Sequence, residues 1–111
     1  MLTIRNIEKI NGKQITDKWE VSSTDVTRDG SGYVFCLTNV GHYKTYRWYF
    51  TLDRNIDEVM GMYRMRTNTK GKLYELLIRP IDVSPVGLIY YMNCIIANVK
   101  KDEDEHSKQS K

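Results

Sequence analysis

The side chains that could carry out catalysis are few, and their spacing does not assemble an active site. Of the two histidines, His42 lies in a predicted turn and His106 lies in the charged C-terminal segment. A Cys36–His42 pair would need both groups within hydrogen-bond reach, which their spacing does not arrange. Asp57 and Glu58 would not form a metal site together, because they are adjacent and would point apart on a helix. Acids in the first turn of a helix interact favourably with its dipole, which is the simpler explanation for them. No nucleotide-binding, zinc or hydrolase motif occurs, so we expect a protein without enzymatic activity, cofactor or metal.

One set of aromatic and basic residues is typical of single-stranded nucleic-acid binding. Small β-barrels stack bases on aromatic side chains above a basic groove. Tyr43, Arg47 and Tyr49, with Arg64 and Arg66 on a neighbouring strand, would suit that role. The alternative is structural: the tyrosines half-cover the sheet and Arg47 lies flat over them. We favour the structural alternative, since aromatic residues at strand spacing mostly pack.

A second set of residues is typical of a protein interface. Methionine, tyrosine and arginine are enriched at interface cores, and Met62, Tyr63, Arg64 and Arg66 follow one another closely. Lys70 and Lys72 extend the set, whereas the alternative is that the methionines fill gaps in the core. We rank a protein partner above nucleic acid because the basic charge is modest and local. The expected function is that of an accessory or inhibitor-type modulator, as small phage-encoded proteins often are.

The net charge of +3 is concentrated in one part of the chain. Between residues 60 and 80, five basic side chains accompany a single acid, Glu75; the five are Arg64, Arg66, Lys70, Lys72 and Arg79. Such a patch attracts phosphate or an acidic protein surface. The sequence pI near 8.8 is nevertheless below that of a strongly basic DNA-binding domain.

Length and composition predict one soluble domain. A chain of 111 residues with 41% hydrophobic and 28% charged residues can bury a core without metal or disulfide support. Cys36 and Cys94 are predicted to be free thiols, since two cysteines make no disulfide scaffold. The sequence shows neither a bilayer-length apolar run nor a signal peptide, so we expect a cytoplasmic protein.

The stretch 44–52 predicts the central strand of a sheet. Tyr46, Trp48, Phe50 and Leu52 alternate with polar residues, and almost every residue is β-branched or aromatic. Gly-containing turns at 29–32 and 39–42 bound a preceding strand, 33–38, with another at 24–28. If the second turn has four residues, Phe35 pairs with Tyr46 and Tyr33 with Trp48.

The N-terminal residues 2–22 predict a hairpin. Asn11-Gly12 is a strong signal for a two-residue turn and would place Ile4 opposite Trp19 and Leu2 opposite Val21. After the central strand, Asn55 and Glu58 resemble a capping box, which predicts a short helix near 55–61. A strand from residue 63, a polar turn at 68–71 and a strand over 73–79 follow.

Residues 84–101 predict the second major element. Ser84 followed by Pro85 is a favourable helix start. A stripe at helical spacing then comprises Leu88, Tyr91, Met92, Ile95, Ile96 and Val99. The β-branched content would also suit a long buried strand, but length favours a helix.

These predictions combine into an α+β fold that is mainly antiparallel β. We expect a meander or small open barrel of about five to six strands, closed by the C-terminal helix. Residues 1–101 would form a single globular domain. Residues 102–111 carry no apolar side chain and are expected to be a charged disordered tail or a frayed helix end.

Overall fold

The computed structural model describes residues 4–41, 47–57 and 61–109, with side chains for 4–41, 47–54 and 61–105. The elements in chain order are α1 (Ile4–Glu8), β1 (Trp19–Val26), β2 (Gly32–Asn39), β3 (Arg47–Asp57), β4 (Met62–Thr69), β5 (Lys72–Ile78), a 3₁₀ turn (Pro80–Asp82) and α2 (Pro85–Gln109). The strands form one open antiparallel sheet in sequence order. This confirms the predicted fold class, as a meander and not a barrel. No helix in the described residues is long and apolar enough to span a membrane.

Strand β3 is the centre of the sheet, as its residue pattern predicts. Phe50 and Leu52 are completely buried, and Trp48 packs against the same core. We call this side of the sheet the inner face. It is formed by Trp19, Val21, Tyr33, Phe35, Leu37, Trp48, Phe50, Leu52, Tyr63, Met65, Thr67, Tyr74, Leu76 and Ile78. Tyr46 lies outside the described residues.

The pairing of β2 with β3 differs from the predicted register by four residues. Tyr33 pairs with Leu52 and Phe35 with Phe50, instead of with Trp48 and Tyr46. A shift by an even number leaves every side chain on its predicted face, because side chains alternate with a period of two. The predicted inner face is therefore right although the predicted partners are wrong.

The predicted N-terminal hairpin over 2–22 is wrong. Residues Ile4–Glu8 form α1 instead, and Ile7 and Ile10 are completely buried. Their spacing of three places both on one side of a helical turn, a repeat that a strand cannot provide. The chain then makes a tighter hairpin nearer to β1: Gln14 bridges Glu20, and the amide of Ile15 donates to the carbonyl of Trp19 at 2.7 Å.

The predicted helix near 55–61 is wrong at its first residues. Strand β3 continues through 55–57, and Asp57 pairs with Met62 after an irregularity in the register. Pairing with β4 supplies backbone hydrogen bonds that the local capping pattern could not anticipate. Residues 58–60 lie outside the described residues.

The turn between β4 and β5 is tighter than predicted. Thr69 pairs with Lys72, so that only Lys70 and Gly71 remain in the loop. Their φ angles are 55° and 81°, and positive φ at both central residues is what a two-residue type I′ turn requires.

Helix α2 confirms the predicted start and stripe. The hydroxyl of Ser84 accepts a hydrogen bond from the Gly87 amide at 3.2 Å, which caps the helix. A Cβ on Gly87 would lie 2.0 Å from the carbonyl oxygen of Asp82, so this close approach requires glycine. Five residues of the predicted stripe are buried against the inner face: Leu88, Met92, Ile95, Ile96 and Val99.

The helix does not end where the sequence loses its apolar residues. The sequence predicts a charged disordered tail or a frayed helix end for 102–111, and the backbone is helical through Gln109. Asp102 contacts Lys72, and Glu103 contacts Lys70. These ion pairs hold the polar end of the helix against the sheet, and a hydropathy pattern cannot predict them.

Candidate functional site

The sheet has a second face that neither helix covers. Ile7 of α1 and the α2 stripe belong to the core on the inner side. We call the opposite side the outer face. Its side chains are Glu20, Ser23, Asp25, Val34, Cys36, Thr38, Arg47, Tyr49, Thr51, Asp53, Met62, Arg64, Arg66, Asn68, Leu73, Glu75 and Leu77. Because this surface is formed by all five strands and neither helix covers it, it is the candidate site for a macromolecular partner.

Three large apolar side chains are exposed on the outer face. Tyr49 is 56% exposed, Leu73 54% and Leu77 50%. Leu73 pairs with Asn68, and extending the register of β3 with β4 by one residue places Tyr49 on the other side of Asn68. Neighbouring strands lie about 4.8 Å apart, so Tyr49 and Leu73 are separated by about 10 Å across the sheet.

The arginines of the outer face are paired with acids across the strands. Arg66 contacts the carboxylate of Asp53 at 3.1 Å, and Arg64 Nε lies 3.7 Å from that of Glu75. Arg47 is exposed at the start of β3. Of the charged groups on this face, four are acids and three are arginines, once Glu20 and Asp25 of β1 are included. The outer face is therefore not the basic surface that residues 60–80 predict.

The lysines of the predicted patch also have partners, on the helix side of the sheet. Lys70 lies 2.9 Å from Glu103, and Lys72 contacts Asp102. Asp102 also accepts a hydrogen bond from the hydroxyl of Tyr74 at 2.9 Å. The hydrogen bond from Lys72 lowers the pKa of Asp102 and raises that of Lys72, whereas burial is the main cause of the raised pKa of Tyr74.

The residues predicted to bind a partner do not form one surface. Arg47, Tyr49, Met62, Arg64 and Arg66 lie on the outer face. The others lie elsewhere: Tyr63 packs against the core from the inner face, and Lys70 and Lys72 bind the end of α2. Tyr43 lies outside the described residues.

Sequence reasoning missed two residues of the outer face, Leu73 and Leu77. The signal for them is present in β5, Lys72–Ile78, where apolar side chains occupy both faces of the strand. The inner positions are Tyr74, Leu76 and Ile78, so Leu73 and Leu77 are surplus to the core. Apolar residues on both faces of an edge strand therefore predict that one of the two faces is exposed.

Among the described carboxyl groups, the one with the most strongly lowered pKa lies in the turn between β1 and β2. Asp29 accepts hydrogen bonds from the Ser31 hydroxyl at 2.6 Å, the Ser31 amide at 3.0 Å and the Thr27 hydroxyl at 2.8 Å. These bonds, led by that from the Ser31 hydroxyl, lower the pKa of Asp29 to about 2. Its partners all lie within the turn, so its role is to hold the turn together.

Among the described residues, no group of three or more histidine, cysteine or acidic side chains is placed to hold a metal ion. Cys36 is buried and Cys94 half-buried, and both are free thiols. No protein-family model, curated protein or solved structure matches the chain. The function must therefore be inferred from the geometry of the surface itself.

Proposed function

We propose that the protein is a small binding protein without catalytic activity, an accessory or modulator that contacts a protein partner through the outer face of its sheet. The observation that carries this proposal is the exposure of Tyr49, Leu73 and Leu77 on a face that neither helix covers and that also carries the paired arginines. Exposed apolar groups of this kind, set among polar residues, mark interaction surfaces.

The composition of the outer face matches that of protein interfaces. Tyrosine, methionine and arginine are enriched at interface cores, and this face contains Tyr49, Met62, Arg64 and Arg66. Arg64 adds a specific feature: its buried Nε–H has no hydrogen-bond acceptor within the described part of the chain. Because this atom is buried, an outward rotation of the Arg64 side chain would be needed before a carbonyl or carboxylate oxygen of a partner could remove the cost of leaving that donor unsatisfied.

The balance of charge favours protein over nucleic acid as the partner. Binding to a phosphate backbone depends on cations that displace counterions. Arg64 and Arg66 already face Glu75 and Asp53, and phosphates would be repelled by those carboxylates. A protein surface that carries both apolar groups and charges of both signs complements the outer face better.

The proposal is tested by comparing partner capture by matched variants. Leu77→Asp and Tyr49→Ser disrupt the outer face, whereas Val86→Asp alters a still more exposed apolar residue at the start of α2, 79% exposed. The tagged full chain and each variant are used to capture proteins from the cells that produce it. We expect a partner that is retained by wild type and Val86→Asp and lost with both outer-face variants. A partner retained equally by all four proteins would contradict the proposal.

A second experiment addresses the nucleic-acid alternative, which rests on Arg47 and Tyr49 sharing the outer face with Arg64 and Arg66. Labelled single-stranded DNA and RNA are titrated at two salt concentrations. We expect binding no tighter than millimolar at the lower concentration. Tight binding that weakens steeply with salt, with a shallower salt dependence for Arg47→Ala, would replace the proposal with a nucleic-acid function.

A further inference from the structure

A cavity of about 610 Å³ lies on the helix side of the sheet, away from the outer face. Its walls come from residues that are distant in sequence: the approach to β1, the end of β2, the start of β3, the β4–β5 turn and the last part of α2. This volume is within the range of small-molecule sites, which are concave and mainly apolar with a few polar groups.

Two indole rings form the apolar wall of the cavity. The ring centroids of Trp19 and Trp48 are 4.2 Å apart, and their planes are inclined by 31°. Trp19 is only 6% exposed, whereas Trp48 is half-buried and offers more of its surface to the cavity. Indole faces stack against planar rings, so this wall favours a flat aromatic group.

A threonine in the same wall has an unsatisfied hydroxyl. Thr69 is 9% exposed, and its Oγ1 is buried without a hydrogen-bond partner in the described part of the protein. Two residues earlier on the same face, the Thr67 hydroxyl donates to the carbonyl of Tyr49 at 2.8 Å. A buried polar group without a partner is costly, and a rotation of the Thr69 side chain toward the cavity would allow a ligand to satisfy it.

The charges around the cavity favour an anion. Three lysines and two acids line it, Asp17 and Glu103 being the acids, which leaves a net charge of +1. One lysine is already paired, Lys70 with Glu103 at 2.9 Å. Neither Lys18 nor Lys100 forms an ion pair with any described carboxylate. An anionic group on a ligand would gain two charge-assisted contacts from these side chains.

We propose that this cavity binds a small planar aromatic anion. Its ring would lie against Trp48, a polar atom would pair with the Thr69 hydroxyl, and its phosphate or carboxylate would lie near Lys18 and Lys100. Nucleoside monophosphates and aryl carboxylates share this chemistry. The site is independent of the outer face and does not rest on the proposed protein partner.

The experiment uses the two tryptophans as probes, because Trp19 and Trp48 are the only ones in the chain. In ¹⁵N-labelled full-length protein each gives one indole N–H signal. Adenosine monophosphate, uridine monophosphate and indole-3-acetate are titrated, with ribose 5-phosphate and adenosine as probes that carry only the anion or only the ring. We expect saturable shifts of the Trp48 signal with at least one of the first three, and weaker binding of both partial probes.

Tighter binding of the nucleotides would identify the ligand as a phosphate, and tighter binding of indole-3-acetate would identify it as a carboxylate. If none of these three probes saturates the indole shifts, the proposal is wrong. Equal affinity for adenosine and its monophosphate would equally contradict the role of the lysines.

Two neighbouring threonines supply the matched variants. Thr69→Val removes the unsatisfied hydroxyl with little change of shape, and we expect it to weaken binding by about two- to tenfold without lowering Tm. Thr67→Val removes a hydroxyl that is already bonded, and we expect it to lower Tm without changing affinity. Unchanged affinity in Thr69→Val would remove that residue from the site and overturn the proposal as stated.

Discussion

Leu77 and Ile78 are neighbours on β5 with similar side chains, yet Leu77 is 50% exposed and Ile78 is 1% exposed. They belong to opposite faces of the same sheet. The inner face is complete because α1, α2 and the strands bury it together, whereas the outer face carries apolar groups that no described element covers. One face alone therefore supplies the core, and the apolar residues of the other face are available to a partner.

The ion pairs differ between the two faces as well. On the outer face the ion pairs connect neighbouring strands, as in Arg66 with Asp53. They add little stability, because backbone hydrogen bonds already hold those strands together. On the helix side they connect β5 and its turn to the end of α2, as in Lys72 with Asp102. Because these contacts join elements far apart in sequence, they help to fix the position of the helix on the sheet.

The largest expected effect is that of a charge placed in the helix–sheet interface. Ile95 is 2% exposed, so Ile95→Asp buries a carboxylate at an expected cost of several kcal/mol, enough to unfold a domain of ordinary stability. The matched control is Ala97→Asp, since Ala97 is exposed on the opposite side of α2. Circular dichroism and urea unfolding measure both. A folded Ile95→Asp protein of wild-type stability would contradict the assignment of the inner face.

A smaller effect separates the two faces within one strand. Truncating Ile78 to alanine leaves a cavity in the core, and we expect a loss of about 2–4 kcal/mol in the free energy of unfolding. Leu77→Ala removes a half-exposed side chain, with an expected loss below about 1 kcal/mol. Urea denaturation of the two variants gives the comparison directly. Equal losses would show that the outer face is as well packed as the inner one.

The inner face can be predicted from the sequence because its signals are local. The alternation of Trp48, Phe50 and Leu52 identifies β3, and Ser84-Pro85 with the following stripe identifies α2. The error in the predicted β2–β3 register does not change which face each side chain occupies, because it is a shift by an even number of residues. The N-terminal hairpin prediction fails because it gives Asn11-Gly12 more weight than the three-residue spacing of Ile4, Ile7 and Ile10.

The candidate surface is harder to predict because it depends on partners that are distant in sequence. Counting charges between 60 and 80 finds five basic residues and one acid, but Asp53, Asp102 and Glu103 lie outside that window. Similarly, Met62 and Tyr63 belong to one predicted set because they are neighbours in the sequence, but adjacent residues of a strand lie on opposite faces of the sheet. The period of two, applied along β4 and β5, is sufficient to assign these neighbours to different faces from the sequence alone.

A third prediction concerns the end of α2. A chain that ends at Lys101 lacks Glu103 and Asp102, which contact Lys70 and Lys72, and we expect its Tm to fall by a few degrees. A chain that ends at Glu105 keeps Asp102 and Glu103, and we expect its Tm to match that of the full-length protein. Thermal unfolding of the three proteins tests this. An unchanged Tm for the chain that ends at Lys101 would mean that residues after 101 do not help to hold the helix against the sheet.

The smallest expected effect is a dependence of this helix-end contact on pH. The pKa of Asp102 is lowered from 3.8 in the folded protein, mainly by its hydrogen bond with Lys72. A lowered folded pKa means that the unfolded chain takes up the proton first, so the stabilising contribution is complete above the unfolded value and disappears as pH falls through the folded pKa. We therefore expect Asp102→Asn to lower Tm slightly at pH 7, and the difference from wild type to vanish in acid below the folded pKa. Thermal unfolding of both proteins from pH 7 to pH 2 measures it, with Asp104→Asn, an exposed acid on the same helix, as the control. A difference that stays constant over this range would show that Asp102 acts through its shape or helix propensity and not through its charge.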